Sequence, residues 1–592
     1  MSLGSTSLTV KSSGLGQGQG RKLVAVVGCS ESGSGSAGAA STKANNQDLL
    51  DAHGYGPLSE VAALYLDLAG GPVLTAKAAT ATAAVLGGFC QSGGGSAAAG
   101  TLSADGGNTA TAVPALAGTP DKAYAVRIRV TTGGANIAAN PVVQISLDGG
   151  VSYLAADAVD VSASPVPIGS TGLSLAWTDG TFVLNDFWLA VGAACATDGD
   201  ATGTSVPVFS GTPNDRHDIV IEVVRAQSAL TDLTGAVKIS LDGGYVFGDP
   251  VLVPTTGVVA VPNTGVTCTF GAGSLVVGDQ YRVRTAPPLW STSGLEDALD
   301  AVIDAIDAGA DVDIVHIVGP IDATSQAVIE TWADTAKTDG HDLAVLCEAR
   351  DQSEGESVST WKTAIKGATP GLQGLSSDLM DVGCCAVQAK SSLRAGLYWR
   401  RNAQCLRGPR LASIPLREHP GRVKTGAVTG LRADGLVGPV HHDLRSHTDL
   451  DAARFSGVQS LVGRRGEFFF TSRSFALATS DFNEIQRIRV MNAAANAARG
   501  AIANYVGEDV ELEDDGTGHI TEAEAKGIEA EVRAAIAAAV LNEPNNHVTS
   551  ITVTVDRTNN IATSRTLRVA IAIVPRGSIV TVTATISYSL AA

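Results

Sequence analysis

Glu513, Asp515, Thr517 and Glu524 stand first, third, fifth and twelfth in the stretch EDDGTGHITEAE, with Gly518 sixth and Ile520 eighth. Side-chain oxygens at that spacing could coordinate calcium as an EF-hand loop does. Two features oppose this: the first ligand is Glu rather than Asp, and no helical pattern leads into the loop. The same letters read as a turn followed by a capping box, Thr521 with Glu524, opening a helix that runs to about Leu541. The cap is the favoured reading, and the four residues remain the candidate metal ligands. A second cluster, His441, His442, Asp443, His447 and Asp449, also has metal-ligand types. Adjacent histidines point apart on either regular structure, which works against one shared ion.

Other chemistry is suggested and then weakened by spacing. Gly28 and Gly33 are spaced like the glycines of a phosphate-binding loop, but Ser34 and Gly35 stand where Lys and Ser or Thr are needed. A plain glycine-rich loop is expected, with no cofactor. Asp148 and Asp242 each open an Asp-Gly-Gly, a hairpin-turn signal whose alternative use would be calcium or sugar binding. No nucleophile and base pair assembles, so the chain is expected not to be an enzyme.

Charge is segregated. Between Lys390 and Arg432 ten Lys and Arg, among them Arg400, Arg401, Arg407 and Arg410, face one acid, Glu418. Downstream, Glu508, Asp509, Glu511 and Glu513 begin a run of ten acids interrupted by Lys526 alone. These are either two solvated faces or a charged interface between copies, which would give register more than affinity.

The elements that must position these groups follow from periodicity. Leu23 to Val27 reads as a short apolar strand, and Pro57 opens a helix with a stripe of Leu58, Val61, Ala62, Tyr65 and Leu66. From Ala123 to Arg284 short alternating strands repeat at an offset of 93 or 94: VVQISLDGGVSYL returns as AVKISLDGGYVFG, and TGLSLAW as TGVTCTF. A tandem pair of β-sandwich-sized units is expected, peripheral enough to be removed without unfolding the rest. Residues 290–390 alternate helix and strand, with a capping box at Ser293 and Glu296 ahead of Leu295, Leu299, Val302, Ile303 and Ile306, predicting a largely parallel sheet. A long helix beginning near Asp481 and capped by Glu484 precedes the acidic run.

Both ends carry strand patterns. Leu8 and Val10 alternate with Ser and Thr ahead of a tether containing Gly14, Gly16, Gly18 and Gly20; Val580, Val582, Ile586 and Tyr588 alternate at the other end. Such ends could add strands to other copies of the molecule.

The 592 residues carry a net charge of −18, which disfavours nonspecific binding to nucleic acid or an anionic membrane. The start has neither a basic nor an apolar signal region, and no apolar run approaches a membrane span, so a soluble protein made without a secretory signal is expected. The eight cysteines are scattered without a CxxC pair, which fits reduced core residues.

The order of these parts resembles a contractile tail sheath protein of bacteriophages and related contractile injection systems. The likeness lies in LVAVVGCSESG with DLLDAHGYGPLSEVAALYLDLAGGPVLTAKA, then GVQSLVGRRGEFFFTSRSFA with DFNEIQRIRVMNAAANAAR, then VTVDRTNNIATSRTLRVAIAIVPRGSIVTVTATISYSL. It covers about residues 1–110 and 290–592, and GRRGEFFFTSRS lacks the family's common tryptophan. The resemblance implies a mixed α+β and α/β multidomain fold: a sheath-type core of mixed sheet and helices built from both ends of the chain, with an inserted pair of duplicated β-sandwich domains. The segments would be an exchange arm and tether at 1–20, core at 21–120, sandwich repeats at 121–210 and 211–286, an α/β domain at 287–450, a C-terminal core at 451–577 and a second arm at 578–592. It further implies a virion tail protein assembled in the bacterial host cytoplasm. Its partners would be copies of itself in a helical array, the inner tail tube protein, and baseplate and tail terminator proteins, with no direct nucleic acid and no membrane insertion. Contraction would drive the tube through the host envelope, the tether glycines acting as hinges. A virion or cell-surface adhesive protein carrying duplicated sandwiches is the alternative.

Overall fold

The computed structural model describes residues 22–577 except 31–32, 83–84, 93–100, 105–107, 119–125, 148–158, 170, 192–202, 206, 353–357, 368–371, 373–375, 437–449, 451–452, 461–465, 470 and 543–544. Both terminal arms, the tether glycines, Asp148 and the His441 to Asp449 cluster therefore lie outside the described residues.

The chain is a mixed α/β multidomain protein organised on a seven-stranded sheet. Leu23–Gly28 is apolar throughout because it is covered on both sides, as parallel strands are. Val73–Lys77 and Val312–Ile321 flank it, both parallel. The sheet continues through Ala344–Ala349, Met380–Gly383 and Phe455–Ser456, all parallel, and Ala40–Lys43 closes the other edge antiparallel. Alternation divides the side chains between two cores. Ala25, Val27, Val315, Ile317, Val345 and Cys347 pack with Leu295, Leu299, Val302, Ile329 and Trp332 of the helices Thr292–Asp307 and Ala323–Thr338. Val24, Val26, Ile314, Ala344 and Leu346 pack on the other face with Leu58 and Val61 of Pro57–Leu64, Leu406 of Gln404–Ser413, and Ile485 and Ile488. Three layers result, the parallel sheet buried in the middle.

Helix starts follow local chemistry, with two corrections. Ser291, not Ser293, caps Thr292–Asp307: its hydroxyl accepts from the Gly294 amide at 2.9 Å. The helix expected near Asp481 spans Ile485–Ile502. Glu484 holds the N-cap position, but its carboxylate pairs with Arg487 at 3.2 Å and gives the backbone no side-chain cap. Thr521 caps Glu522–Val540 through the Glu524 amide at 3.3 Å.

The repeat region forms two strand sets with one plan. In the first, Val159–Asp160, Val142–Ser146, Arg127–Thr132, Phe187–Val191 and Thr101–Ala104 make a five-stranded sheet; Val166–Pro167, Leu173–Trp177 and Pro114–Gly118 make a three-stranded one. In the second, Val251–Leu252, Ala236–Ser240, Asp218–Arg225, Gln280–Ala286 and Val85–Ser92 answer the five, and Val258–Ala260, Val266–Phe270 and Pro207–Gly211 the three. The likeness extends to Gly118 and Gly211, both at positive φ, where a Cβ would strike the carbonyls of Gly172 and Gly265. Two pairings depart from the sequence reading. Thr101–Ala104 and Pro114–Gly118 pair with strands beyond residue 121. The edge strand of the second set, Val85–Ser92, comes from upstream of the whole first set.

At the C-terminal end the hairpin Val548–Val555 with Val569–Pro575 lies on Glu522–Val540, which in turn packs on Ile485–Ile502. Ala525, Ile528, Val532, Ile536 and Val540 recur at helical spacing and are buried against Val548, Ile551, Val553 and Val555.

Candidate functional site

The basic block turns inward at a β-hairpin. Ala386–Lys390 pairs antiparallel with Tyr398–Asn402, placing Val387 opposite Arg401 and Ala389 opposite Trp399. Arg401 grips Asp215 of the second strand set with both Nη atoms, one of them at 2.9 Å from Oδ1. Arg400 holds Asp351 through two bonds of 2.6 and 3.0 Å, and Arg216 approaches the same carboxylate at 3.4 Å. Arg394, in the hairpin loop, donates to the Asn263 carbonyl at 2.7 Å, stacks on Tyr55 at 4.1 Å and lies 4.0 Å from Glu60. Trp399 is buried in the core of the second strand set and meets His217 edge to face at 5.1 Å.

Four separate pieces of the chain are thus clamped on one hairpin. Burial pushes the Asp215 and Asp351 carboxyls up, but Arg401 and Arg400, by charge and hydrogen bonding, outweigh it and hold both below the usual range. Burial drives the His217 imidazole down to about 3, so it is neutral at physiological pH. Burial also raises Glu60, opposed by Arg401 and Arg394. Lining this joint is a cavity of about 260 Å³.

Arg407 and Arg410 are also engaged within the chain. Arg407 is fully buried, 2.7 Å from Asp381 and from the Thr471 carbonyl. Arg410 donates to the carbonyls of Pro420, Gly426 and Ala427. Arg400, Arg401, Arg407 and Arg410 have carboxylates and carbonyls of this chain as partners, charge-assisted bonds that offset part of the cost of taking a guanidinium out of water. The second strand set is anchored on the hairpin, since Trp399 lies in its core.

Of the acidic block, Glu508, Asp509 and Glu511 are exposed, while Glu513 pairs with Arg557 at 2.9 Å. Asp515 accepts from the Thr517 amide at 2.9 Å and hydroxyl at 2.5 Å, forming a turn, and a bridge between Leu512 and Ile520 closes the loop. Among the described residues no group of three metal-ligating side chains comes together. In the glycine-rich loop the Ser34 and Gly35 amides donate to the carbonyls of Asp51 and Ala52, at 3.0 and 2.6 Å, which takes them away from a phosphate.

The acids that face the arginines of the hairpin and of the helix after it, Asp215, Asp351, Asp381 and Glu60, were not anticipated. Each stands at a different place in the sequence, and the one available signal was the excess of arginine itself, which had to find partners elsewhere.

The remaining feature is the C-terminal hairpin, two strands among the described residues, with Val574 half exposed on the strand that leads into residue 578. Family models cover nearly the whole length: the DUF2586 N-terminal domain matches residues 7–473 and the DUF2586 C-terminal domain residues 481–592. The chain belongs to the DUF2586 family. No curated protein matches this DUF2586 chain. Among solved structures it is similar to the sheath tail protein of Listeria innocua, at 10% identity over 94% of this chain and 96% of that one, with a TM-score of 0.40. It is similar also to the sheath tail protein of Desulfitobacterium hafniense, at 11% identity over 96% and 100%, TM-score 0.37. A third is the helical sheath of the anti-feeding prophage in its contracted state, at 12% identity over 52% and 78%, TM-score 0.32. Membership rests on the two family models; the structures, all below a TM-score of 0.5, are likenesses only. No helix among the described residues of the DUF2586 chain is long and apolar enough to cross a membrane.

Proposed function

We propose that the chain is the structural subunit of a contractile tail sheath, polymerised around an inner tube through strands exchanged at its two ends. The observation that carries this reading is the C-terminal hairpin. A two-stranded sheet on a helix has two outer edges, and an edge is a template for further strands. Strand-patterned residues 578–592 follow directly, and Leu8 and Val10 offer a second candidate. At roughly 1 kcal/mol net per ladder bond, one added strand holds weakly, yet repeated at every joint of a polymer it resists dissociation while subunits rotate. The order of motifs at both ends supports the same reading. In it the two strand sets are a duplicated β-sandwich insertion, the tether glycines absorb the movement, and tube, baseplate and terminator proteins are the partners. Exposed Glu508, Asp509 and Glu511 are kept as a charged contact.

Deleting residues 1–13 or 580–592 tests it. Purified truncations should remain folded by circular dichroism and form no long tubes in negative-stain microscopy. Normal tubes from both truncations would refute strand exchange.

A further inference from the structure

Neighbouring residues of an extended chain point to opposite sides, but Cys384 and Cys385 do not. They join Met380–Gly383, in the parallel sheet, to Ala386–Lys390, the first strand of the arginine hairpin. Cys385 takes φ +73°, in the left-handed region that residues other than glycine rarely adopt. With this bend the two sulfurs lie 3.6 Å apart, in van der Waals contact, within the core that holds Phe455 and Phe475.

The bend is held from several directions. The Cys384 amide donates to the Ser456 carbonyl at 2.7 Å, and the Cys385 carbonyl accepts from the Ala403 amide at 2.9 Å. One residue earlier, the Gly383 carbonyl accepts from Asn402 Nδ2 at 3.0 Å. Backbone kept in a sparsely populated region persists only where its surroundings impose it, and such places gather at switches and other functional positions.

Two thiols in contact can exchange their hydrogens for a bond. A disulfide between sequence neighbours is of the labile kind: Cα atoms across a trans peptide are about 3.8 Å apart, short of the roughly 4.4 to 6.8 Å at which disulfides ordinarily close, and such strain makes the bond easier to reduce. In an unfolded chain the ring must also impose its own bend. Here the fold has imposed a bend already, so less ordering remains for ring closure.

We propose that Cys384 and Cys385 are a reversible modification site that closes to a vicinal disulfide, with a low-molecular-weight disulfide such as oxidised glutathione as the oxidant. Cys385 is 5% exposed and Cys384 is wholly buried, so Cys385 reacts first. Its thiolate attacks one sulfur of the oxidant, forming a mixed disulfide and releasing one thiolate; the Cys384 thiolate then attacks Cys385 Sγ and releases the second. Two protein thiols are oxidised, one small disulfide is reduced to two thiols, and the two protons pass to them. The closed ring fixes the step from the parallel sheet into the hairpin. The assignment is independent of the sheath reading.

Its test compares the full chain with a synthetic peptide of residues 367–390, the tryptic fragment that holds both cysteines between Lys366 and Lys390. Both are equilibrated over one series of oxidised-to-reduced glutathione ratios, quenched in acid, unfolded, alkylated and read by mass spectrometry after trypsin. From the full chain the fragment should emerge two hydrogens lighter and unlabelled, at a ratio at least tenfold lower than the free peptide needs, and excess dithiothreitol should restore both labels. An equal or higher ratio for the full chain overturns the proposal, as does a fragment that stays doubly alkylated throughout. Cys384→Ala should stop at a glutathione adduct on Cys385; a variant that takes no adduct shows that the oxidant does not reach Cys385, and overturns it as well.

Discussion

Asp215→Ala should open the joint between the second strand set and the core. Asp215 is 2% exposed, its two oxygens are held by Arg401, and Oδ1 also accepts from the Arg216 amide at 2.7 Å. Removing one member of a buried pair leaves the other charge uncompensated, at about 3–5 kcal/mol, whereas exchanging both for apolar side chains is often near neutral. At 1.4 kcal/mol per tenfold, 3–5 kcal/mol raises the local opening equilibrium by roughly 10² to 10³ or more. A multidomain chain has no single unfolding free energy, so the assay must be local: hydrogen exchange by mass spectrometry on peptides covering Tyr398–Asn402 and Asp218–Arg225. Asp215→Ala and Arg401→Met should each speed exchange there by that factor, and the pair Asp215→Leu with Arg401→Met should recover much of the protection. Exchange unchanged within about threefold in Asp215→Ala, or a double variant as damaged as the sum of the singles, would refute the clamp.

Acid should weaken the fold before carboxylates titrate. Burial holds His53 and His547 down to about 4 and His217 to about 3, against a free value near 6.5. With folded values below the unfolded one, their stabilisation is whole above about pH 6.5 and is lost as pH falls toward 4 and 3; thermal midpoints should drop over that window, and a flat profile contradicts it. Ile536→Ala, at a fully buried position between the C-terminal helices and hairpin, should cost about 2–5 kcal/mol, read as faster exchange in Val548–Val555. Gly408→Ala should lower the thermal midpoint, because the new Cβ would overlap the Tyr65 hydroxyl, an overpacking cost of roughly 1–3 kcal/mol or more. Excising residues 123–283 should destabilise the rest of the chain, since it strips the cover from Trp399; an excised protein with an unchanged midpoint would show the joint to be dispensable.

Much of the local structure was legible. Val24 and Val26 alternate with Ala25 and Val27 in the sequence and divide between two cores in the fold. Pro57 opens a helix and Thr521 caps one, because each acts within a turn of its own position. What could not be read is long-range choice. Nothing in Leu23–Gly28 says that its neighbour is Val312–Ile321, and an edge strand such as Val85–Ser92 matches several partners by pattern alone. Ser291 and Ser293 are equally good caps as residue types, and packing decides between them. The arginines were visible as a cluster, but Asp215, Asp351 and Asp381, standing singly, were not visible as their counterparts. The site therefore emerged from contacts, and only its cationic half from composition.

Because Val85–Ser92 completes a sheet whose other strands run to Ala286, the first strand set is nested inside the second. On a ribosome, which adds residues from the N-terminus, residues 101–191 can close on themselves while Val85–Ser92 is still waiting for Gln280–Ala286. The inner unit matures first, and the outer one closes only when Gln280–Ala286 has emerged.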